Sequence, residues 1–406
     1  MIRRLWFDVT DTRLKGVRGG IGRVVGRFAQ AFLNANAIDS VETLCVARVG
    51  RTWRRVHHPL TGAFPASPRH HPPAPTATPS ASRAPSPEPG LTNRLAYALR
   101  EHWHGRGLPH LTPAPGDALV LLDGHWRPEL WPAALAFQRL GGSLIPGVHD
   151  LIALDHPDTC DPLTAARLRA WLSRAAQHAD AFACVSRATA DRLQNHLDST
   201  RPKPAGPRPI LVTPPGCDPP TSAPSAPRPQ TSVAPKRLLI VGALEPRKNH
   251  AVLCDACEHL WDEGHDLQLT VVGRPGWRCD AITDRLQSLL HAGRPLRWLQ
   301  DADDAALENA YASADALVIP SLDEGFGLPA VEALTRGLSV IASDIPALRE
   351  ATQGRARFLP PQDTAAWIDA LRQPVSPVQG FTWPTWDQAA ADLVRSVHSA
   401  FDQQGG

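Results

Sequence analysis

Short apolar runs alternate along this chain with longer stretches in which apolar residues return every three or four positions. The runs are LWFDV at 5–9, DALVLL at 117–122, SLIPGV at 143–148, AFACV at 181–185 and ILV at 210–212. After an interruption come RLLIV at 237–241, LQLTVV at 267–272, ALVI at 316–319 and LSVI at 338–341. Buried strands read as such runs, and the stretches between them have helical spacing and length. Strands alternating with helices predict parallel sheets covered by helices on both faces, and the pattern occurs twice. In such sheets ligands bind beyond the carboxyl ends of the strands, so those ends are where chemistry is expected.

Two segments break the pattern. Residues 58–90 and 219–236 are rich in Pro, Ala and Ser with few large apolar side chains, too few to bury a core. The first predicts a disordered insertion and the second a linker, which divides the chain into 1–218 and 237–378, with 379–406 as a C-terminal helix expected to pack back on the first domain.

Composition narrows the class. With 406 residues, 43% hydrophobic and 20% charged, the chain suits a soluble protein of two domains. No run of eighteen apolar residues occurs and MIRRLWFDVT leads directly into a strand, so neither a membrane-spanning helix nor a signal peptide is expected. The net charge is +2, yet residues 1–110 carry about ten more basic than acidic groups. That excess is either a solvated face or a surface for anionic lipid headgroups or a phosphorylated acceptor. No nucleic-acid-binding motif contains it. Seven cysteines without a leader point to reduced thiols in the cytoplasm. Cys254 and Cys257 form a lone CxxC on a helical pattern and read as core rather than metal ligands.

Candidate chemistry lies at the predicted strand ends. DEGFGLPAVEAL at 323–334 follows the strand ALVI and holds Glu324 on a loop, the turn Gly325-Phe326-Gly327, and Glu332, expected in the first turn of a helix that Pro329 starts. Glycines there let a ligand approach the backbone at a helix N-terminus. Two carboxylates beside an anion site suit a ligand that has hydroxyls as well as phosphate. Glu245-Pro-Arg-Lys-Asn-His precedes another helix, and Arg247 and Lys248 oppose its dipole unless an anion lies between. RGGIGR at 18–23 follows the first strand; its Gly20 either meets a phosphate or sugar or belongs to an ordinary glycine loop. His149, at the end of SLIPGV, either exchanges a proton with a substrate hydroxyl or caps the strand together with Asp150.

RGGIGRVV, GVHDLIALDHP, CVSRATADRL, VTPPGCD, VGALEPRKN, VVGRPGW and the block from ALVIPSLDEGFG to DIPALRE, in this order, resemble glycosyltransferase family 4. The resemblance covers most of the chain and leaves out the two proline-rich segments. It implies the GT-B fold, two facing Rossmann-like domains with parallel sheets and a cleft between them, the first binding acceptor and the second nucleotide-sugar. It further implies that Glu324 contacts the transferred sugar and that Gly325, Phe326 and Gly327 line sugar and phosphate. Glu332 would hold the ribose, Arg247 and Lys248 would neutralise the leaving diphosphate, Gly20 would supply an amide contact, and His149 would sit at the reaction centre. Retention at the anomeric carbon follows from the same likeness; because Arg247 and Lys248 can carry the leaving group's charge no metal is expected, nor a cofactor, the nucleotide-sugar being a substrate. GDP-mannose is the favoured donor, with UDP-hexoses and dTDP-rhamnose as alternatives. The acceptor would be a saccharide or polyprenyl-linked saccharide, met in the cytoplasm or at the inner face of the plasma membrane.

Two other readings compete. Gly325 to Ala330 fits G-x-G-x-x-A with Asp344 as the acidic partner, as in an NAD-dependent oxidoreductase. Four residues separate that first glycine from its strand, however, and the fingerprint gives Arg247, Lys248 and Glu324 no role. A non-catalytic binding protein of the same fold would be favoured by loss of Glu324 or Lys248, and both are present.

Overall fold

The computed structural model describes residues 1–16, 19–57, 91–124, 126–199, 208–220 and 236–402. Most of the two proline-rich segments lies outside these residues.

Two sheets carry the chain. The strands Val41–Val49, Arg4–Asp8, Asp117–Leu121, Ser143–Val148, Phe182–Cys184 and Ile210–Val212 run parallel in that spatial order. Thr52–Arg55 and His110–Leu111 extend this sheet antiparallel at one edge, and Ala37–Ile38 pairs with Val41–Val49. The second sheet is wholly parallel, in the order Leu296–Leu299, Leu267–Val272, Lys236–Val241, Ala316–Ile319, Ser339–Ser343, Arg357–Leu359. Numbered along the chain, that is 3-2-1-4-5-6, the doubly wound order. Its direction of winding reverses between Lys236–Val241 and Ala316–Ile319, so a crevice opens beyond their carboxyl ends.

The composition of the strands follows from this burial on both faces. Ala316, Leu317 and Val318 are fully buried, as are Leu5, Trp6 and Phe7 in the first sheet. Cys254 and Cys257 lie in the helix His250–Asp262 against the second sheet, packed with Leu253 and Leu260. Among the described residues no group of three or more His, Cys, Asp or Glu is arranged to hold a metal ion.

The chain crosses between the sheets twice. The first crossing leaves Ile210–Val212, and the second brings the helix Trp386–Asp402 back to the helix Gly19–Ala35, where Trp386 meets Phe28 edge-on at 5.6 Å. The two crossings are joined: Cys217 N donates to Pro384 O at 2.9 Å and Trp383 Nε1 to Pro215 O at 2.9 Å. Gly216 has no room for a side chain there, since a Cβ would lie 2.6 Å from the Trp386 backbone.

Local placements differ from the sequence reading in two respects. A helix, Thr10–Lys15, intervenes after the first strand, and the next helix already begins at Gly19. Gly20 and Gly22 are therefore helical rather than part of a free turn. Glu332 stands in the second turn of Leu328–Thr335, not the first, because Gly327 caps that helix and Leu328 opens it.

Candidate active site

The loops beyond Lys236–Val241 and Ala316–Ile319 meet at the crevice of the second sheet. Beyond the first strand, Pro246–Lys248 forms a single 3₁₀ turn, and Asn249 follows in the left-handed region at φ 53°. Among residues other than glycine, asparagine takes that conformation most readily. Here the Asn249 side-chain amide donates to Pro320 O at 3.0 Å and Pro361 O at 2.7 Å. Those bonds tie the Arg247-Lys248 turn to the loop beyond the neighbouring strand.

Glu324 stands on that neighbouring loop. Lys248 Nζ donates to its Oε1 at 2.5 Å and Ser321 Oγ to the same oxygen at 2.7 Å, while Arg247 Nη1 donates to Oε2 at 3.2 Å. Burial alone would raise the pKa of Glu324, yet the charges of Lys248 and Arg247 outweigh it and hold the carboxyl at about 2. Arg247 also donates through Nε to Glu245 at 2.8 Å. Burial opposes its charge, and Glu324 and Glu245 more than compensate, so its pKa is raised. Arg247 and Lys248 are thus paired with carboxylates rather than waiting bare for an anion, and each keeps N–H donors that these bonds do not use.

Three further groups close over the site from the first sheet. His149 follows Ser143–Val148 and is buried, with Nε2 2.7 Å from Leu122 O; burial lowers its pKa and favours the neutral ring. Its carbonyl abuts Gly325 so closely that a Cβ on Gly325 would stand 2.0 Å from that oxygen. Ser186 Oγ and Thr189 Oγ1, before and within the helix Arg187–Ser199, donate to Gly325 O at 2.6 and 3.0 Å. Glu350 caps the same helix by accepting from Arg187 N at 2.7 Å and Ala188 N at 3.0 Å. Arg192 clasps Asp323 at 3.0 and 2.5 Å.

The remaining sequence candidates take distinct places. Gly327 has φ 106°, and a Cβ there would meet Leu348 at 2.6 Å, so glycine is required. Phe326 points inward onto Trp383, with ring centroids 5.5 Å apart, which leaves only its backbone for a ligand. Gly20 has open space around its Cα. Glu332 is buried and bonded to Tyr311 and Arg23. Ser321, Asn249, Ser186, Thr189 and Arg23 were not singled out from sequence. Each nevertheless lies in or beside a quoted motif: Arg23 in RGGIGR, Ser186 and Thr189 in CVSRATADRL, Asn249 in EPRKN, and Ser321 three residues before Glu324.

His250, which opens the helix beyond Asn249, is 4% exposed, and neither ring nitrogen has a hydrogen-bond partner among the described residues. Burial, with the Lys248 charge in support, lowers its pKa to about 3. An unfolded histidine titrates near 6.5, so the unfolded chain takes up this proton first and stability declines as pH falls from about 6.5 toward 3, by up to about 1.4 kcal/mol per unit. Between pH 7 and 5 the wild type is expected to lose about 2 kcal/mol that His250→Leu keeps, measured by urea unfolding. Equal losses in both would mean the ring is solvated.

Residues 235–376 match the family described as "Glycosyl transferases group 1". The chain is 32% identical over 300 residues to the serotype-specific mannosyltransferase WbdA of Escherichia coli, covering 69% of this chain and 37% of that protein. It is 33% identical over 141 residues to the O-antigen chain mannosyltransferase RfbU of Salmonella typhimurium, covering 33% of this chain and 37% of that one. In structure it resembles the sucrose-phosphate synthase of Thermosynechococcus elongatus, with a TM-score of 0.58 at 18% identity over 98% of this chain and 95% of that one. Anabaena HepE in complex with UDP and glucose superposes with a TM-score of 0.55 at 14% identity, over 99% and 95% of the two chains. The whole chain thus has the two-sheet α/β fold of GT-B glycosyltransferases, and residues 235–376 carry the match to the glycosyl transferases group 1 family. The two relatives named above are described as mannosyltransferases, and the chain spans a little over a third of the length of WbdA, 37%.

Proposed function

We propose that this chain moves a mannosyl group from GDP-mannose, with retention and without a metal ion, to a saccharide or lipid-linked saccharide acceptor in bacterial polysaccharide synthesis. The observation that carries the reading is the cluster of Lys248 and Arg247 around Glu324, 2.5 and 3.2 Å away, at the crevice between two parallel strands. Departure of a nucleoside diphosphate concentrates negative charge on its oxygens and leaves an oxocarbenium-like sugar. Fixed cations in a buried site stabilise that charge without reorganising, which is the role a divalent metal has elsewhere. Glu324, kept ionised by its neighbours, accepts from the sugar hydroxyls and holds the anomeric carbon in place. Mannose as the sugar rests on the names of the relatives, and GDP on the donor that mannosyl transfer commonly uses.

Thermal melting with GDP, UDP, dTDP or NAD, each with and without EDTA, tests donor class and metal together. A ligand at about 100 times its dissociation constant adds roughly 2.7 kcal/mol. Stabilisation by GDP alone, unchanged by EDTA and matched by mannosyl transfer from GDP-mannose, is the expected result. A response to UDP or dTDP instead would move the donor to a UDP-hexose or dTDP-rhamnose. A response to NAD alone would overturn the transferase reading.

Peripheral contact with an anionic membrane is part of the same proposal. Among the described residues no helix is long and apolar enough to cross a membrane. The helix Leu91–Gly105 nevertheless exposes Leu99 at 70% and Trp103 at 68%, one turn apart, with Arg106 stacked on Trp103. Aromatic and aliphatic groups flanked by arginine suit a headgroup boundary. The double variant Leu99→Asp, Trp103→Asp is expected to lose sedimentation with phosphatidylglycerol vesicles while keeping its melting temperature. Undiminished sedimentation would remove this face from the proposal.

A further inference from the structure

The Glu332 carboxylate is shared between the two domains. From its own domain Tyr311 OH donates to Oε2 at 2.7 Å, and from the helix Gly19–Ala35 of the other domain Arg23 Nη1 lies 2.7 Å from Oε1. With both oxygens engaged the Glu332 side chain is only 4% exposed. A ribose hydroxyl has no route to it in this arrangement.

Arg23 itself is incompletely satisfied. Its Nε is buried with no hydrogen-bond partner among the described residues, an unfavourable state for a guanidinium N–H. An alternative carboxylate stands near: Asp218 is 3.8 Å from Arg23 Nη2 and 3.0 Å from Arg27. The guanidinium therefore has a second acceptor within a small side-chain movement.

We propose that Arg23 gates the nucleoside end of the donor site: the ribose hydroxyls displace it from Glu332 Oε1, and the released guanidinium pairs with Asp218. The inference rests on the reading of Glu332 as the ribose ligand and adds a competitor for it that comes from the opposite domain. Arg23 is thus a positioning residue that acts through Glu332, and every ribonucleotide that binds must first break this ion pair. Apparent affinity is lowered by the fraction of molecules in which the pair is closed.

The test is a calorimetric titration of GDP and UDP into the wild type, Arg23→Ala, Glu332→Ala and the double variant. Whichever nucleotide binds the wild type is expected to bind Arg23→Ala roughly fivefold more tightly, the scale of a partly exposed ion pair. The gain should vanish in the Glu332→Ala background, a coupling that a general loosening of the structure would not produce. Arg23→Gln, which keeps the side-chain length, serves if Arg23→Ala melts early. Weaker or unchanged binding in these variants overturns the gate while leaving Glu332 as a ligand. Binding to the wild type that Glu332→Ala does not weaken overturns the ribose role, and the gate with it. Failure of either nucleotide to bind any form removes the nucleotide site and both roles.

Discussion

Lys248→Ala is expected to lower transfer by roughly two to three orders of magnitude, the usual effect of removing one preorganised charge from a site where charge develops. Lys248 makes the shortest contact to Glu324, 2.5 Å, and its removal leaves a buried carboxylate held by Arg247 at 3.2 Å and Ser321 at 2.7 Å. Two consequences separate this from a folding defect. Affinity for the nucleoside diphosphate should fall together with kcat, because in the proposed mechanism the same cation meets the leaving group. The pH profile should also change in a definite direction. Glu324 titrates at about 2 because of its cations, so losing one raises its pKa and brings an acidic limb closer to neutrality. Steady-state kinetics across pH 5–8 would show both, and near-normal turnover in the variant would remove Lys248 from the mechanism.

The second large effect comes from a glycine that carries no charge. Gly325→Ala would place a methyl group 2.0 Å from the His149 carbonyl oxygen, backbone against side-chain carbon, with no flexible end to give way. The loop must withdraw, and the donations from Ser186 and Thr189 to Gly325 O are lost with it. Nucleoside diphosphate binding is expected to survive, since Arg247 and Lys248 stand on the second domain alone. Turnover is expected to drop by about a hundredfold or more, as displacement of a reacting group by about 1 Å commonly produces. Turnover within twofold of wild type, with nucleotide binding intact, would show that the approach of the His149 segment to Gly325 is dispensable.

The residues legible in the sequence are those whose role depends on local grammar. An apolar run ending at Pro320, then a glycine turn, then Pro329 near the start of a helix, is enough to put Glu324 on a loop beyond a strand. The position of Arg247 and Lys248 before a helix followed in the same way. What could not be read locally is which distant segments meet. Ser186, Thr189, Arg192 and Glu350 act through partners more than a hundred residues away, so the segments CVSRATADRL and DIPALRE that hold them do not by themselves say what they meet. The start of the helix at Gly19 was missed because glycine is a poor helix former; the buried face of Val24, Val25, Phe28 and Phe32 overrides that preference. The pairing of the two cations with Glu245 and Glu324 was hidden for another reason. Charge type is visible in sequence, but whether opposite charges neutralise each other depends on the folded distance.

The joined crossings give the last helix an allegiance its position in the chain conceals. Trp386–Asp402 follows the second domain in sequence, yet it packs on Gly19–Ala35, and its approach is bonded to the Pro215–Cys217 segment. It therefore travels with the first domain. The joined crossings would serve as an axle for any separation of the two sheets, because sliding would break the bond from Cys217 to Pro384 and press Gly216 onto the Trp386 backbone. A rotation about that axle would part Arg23 from Glu332 and the His149 carbonyl from Gly325 in the same movement, since both contacts span the two sheets.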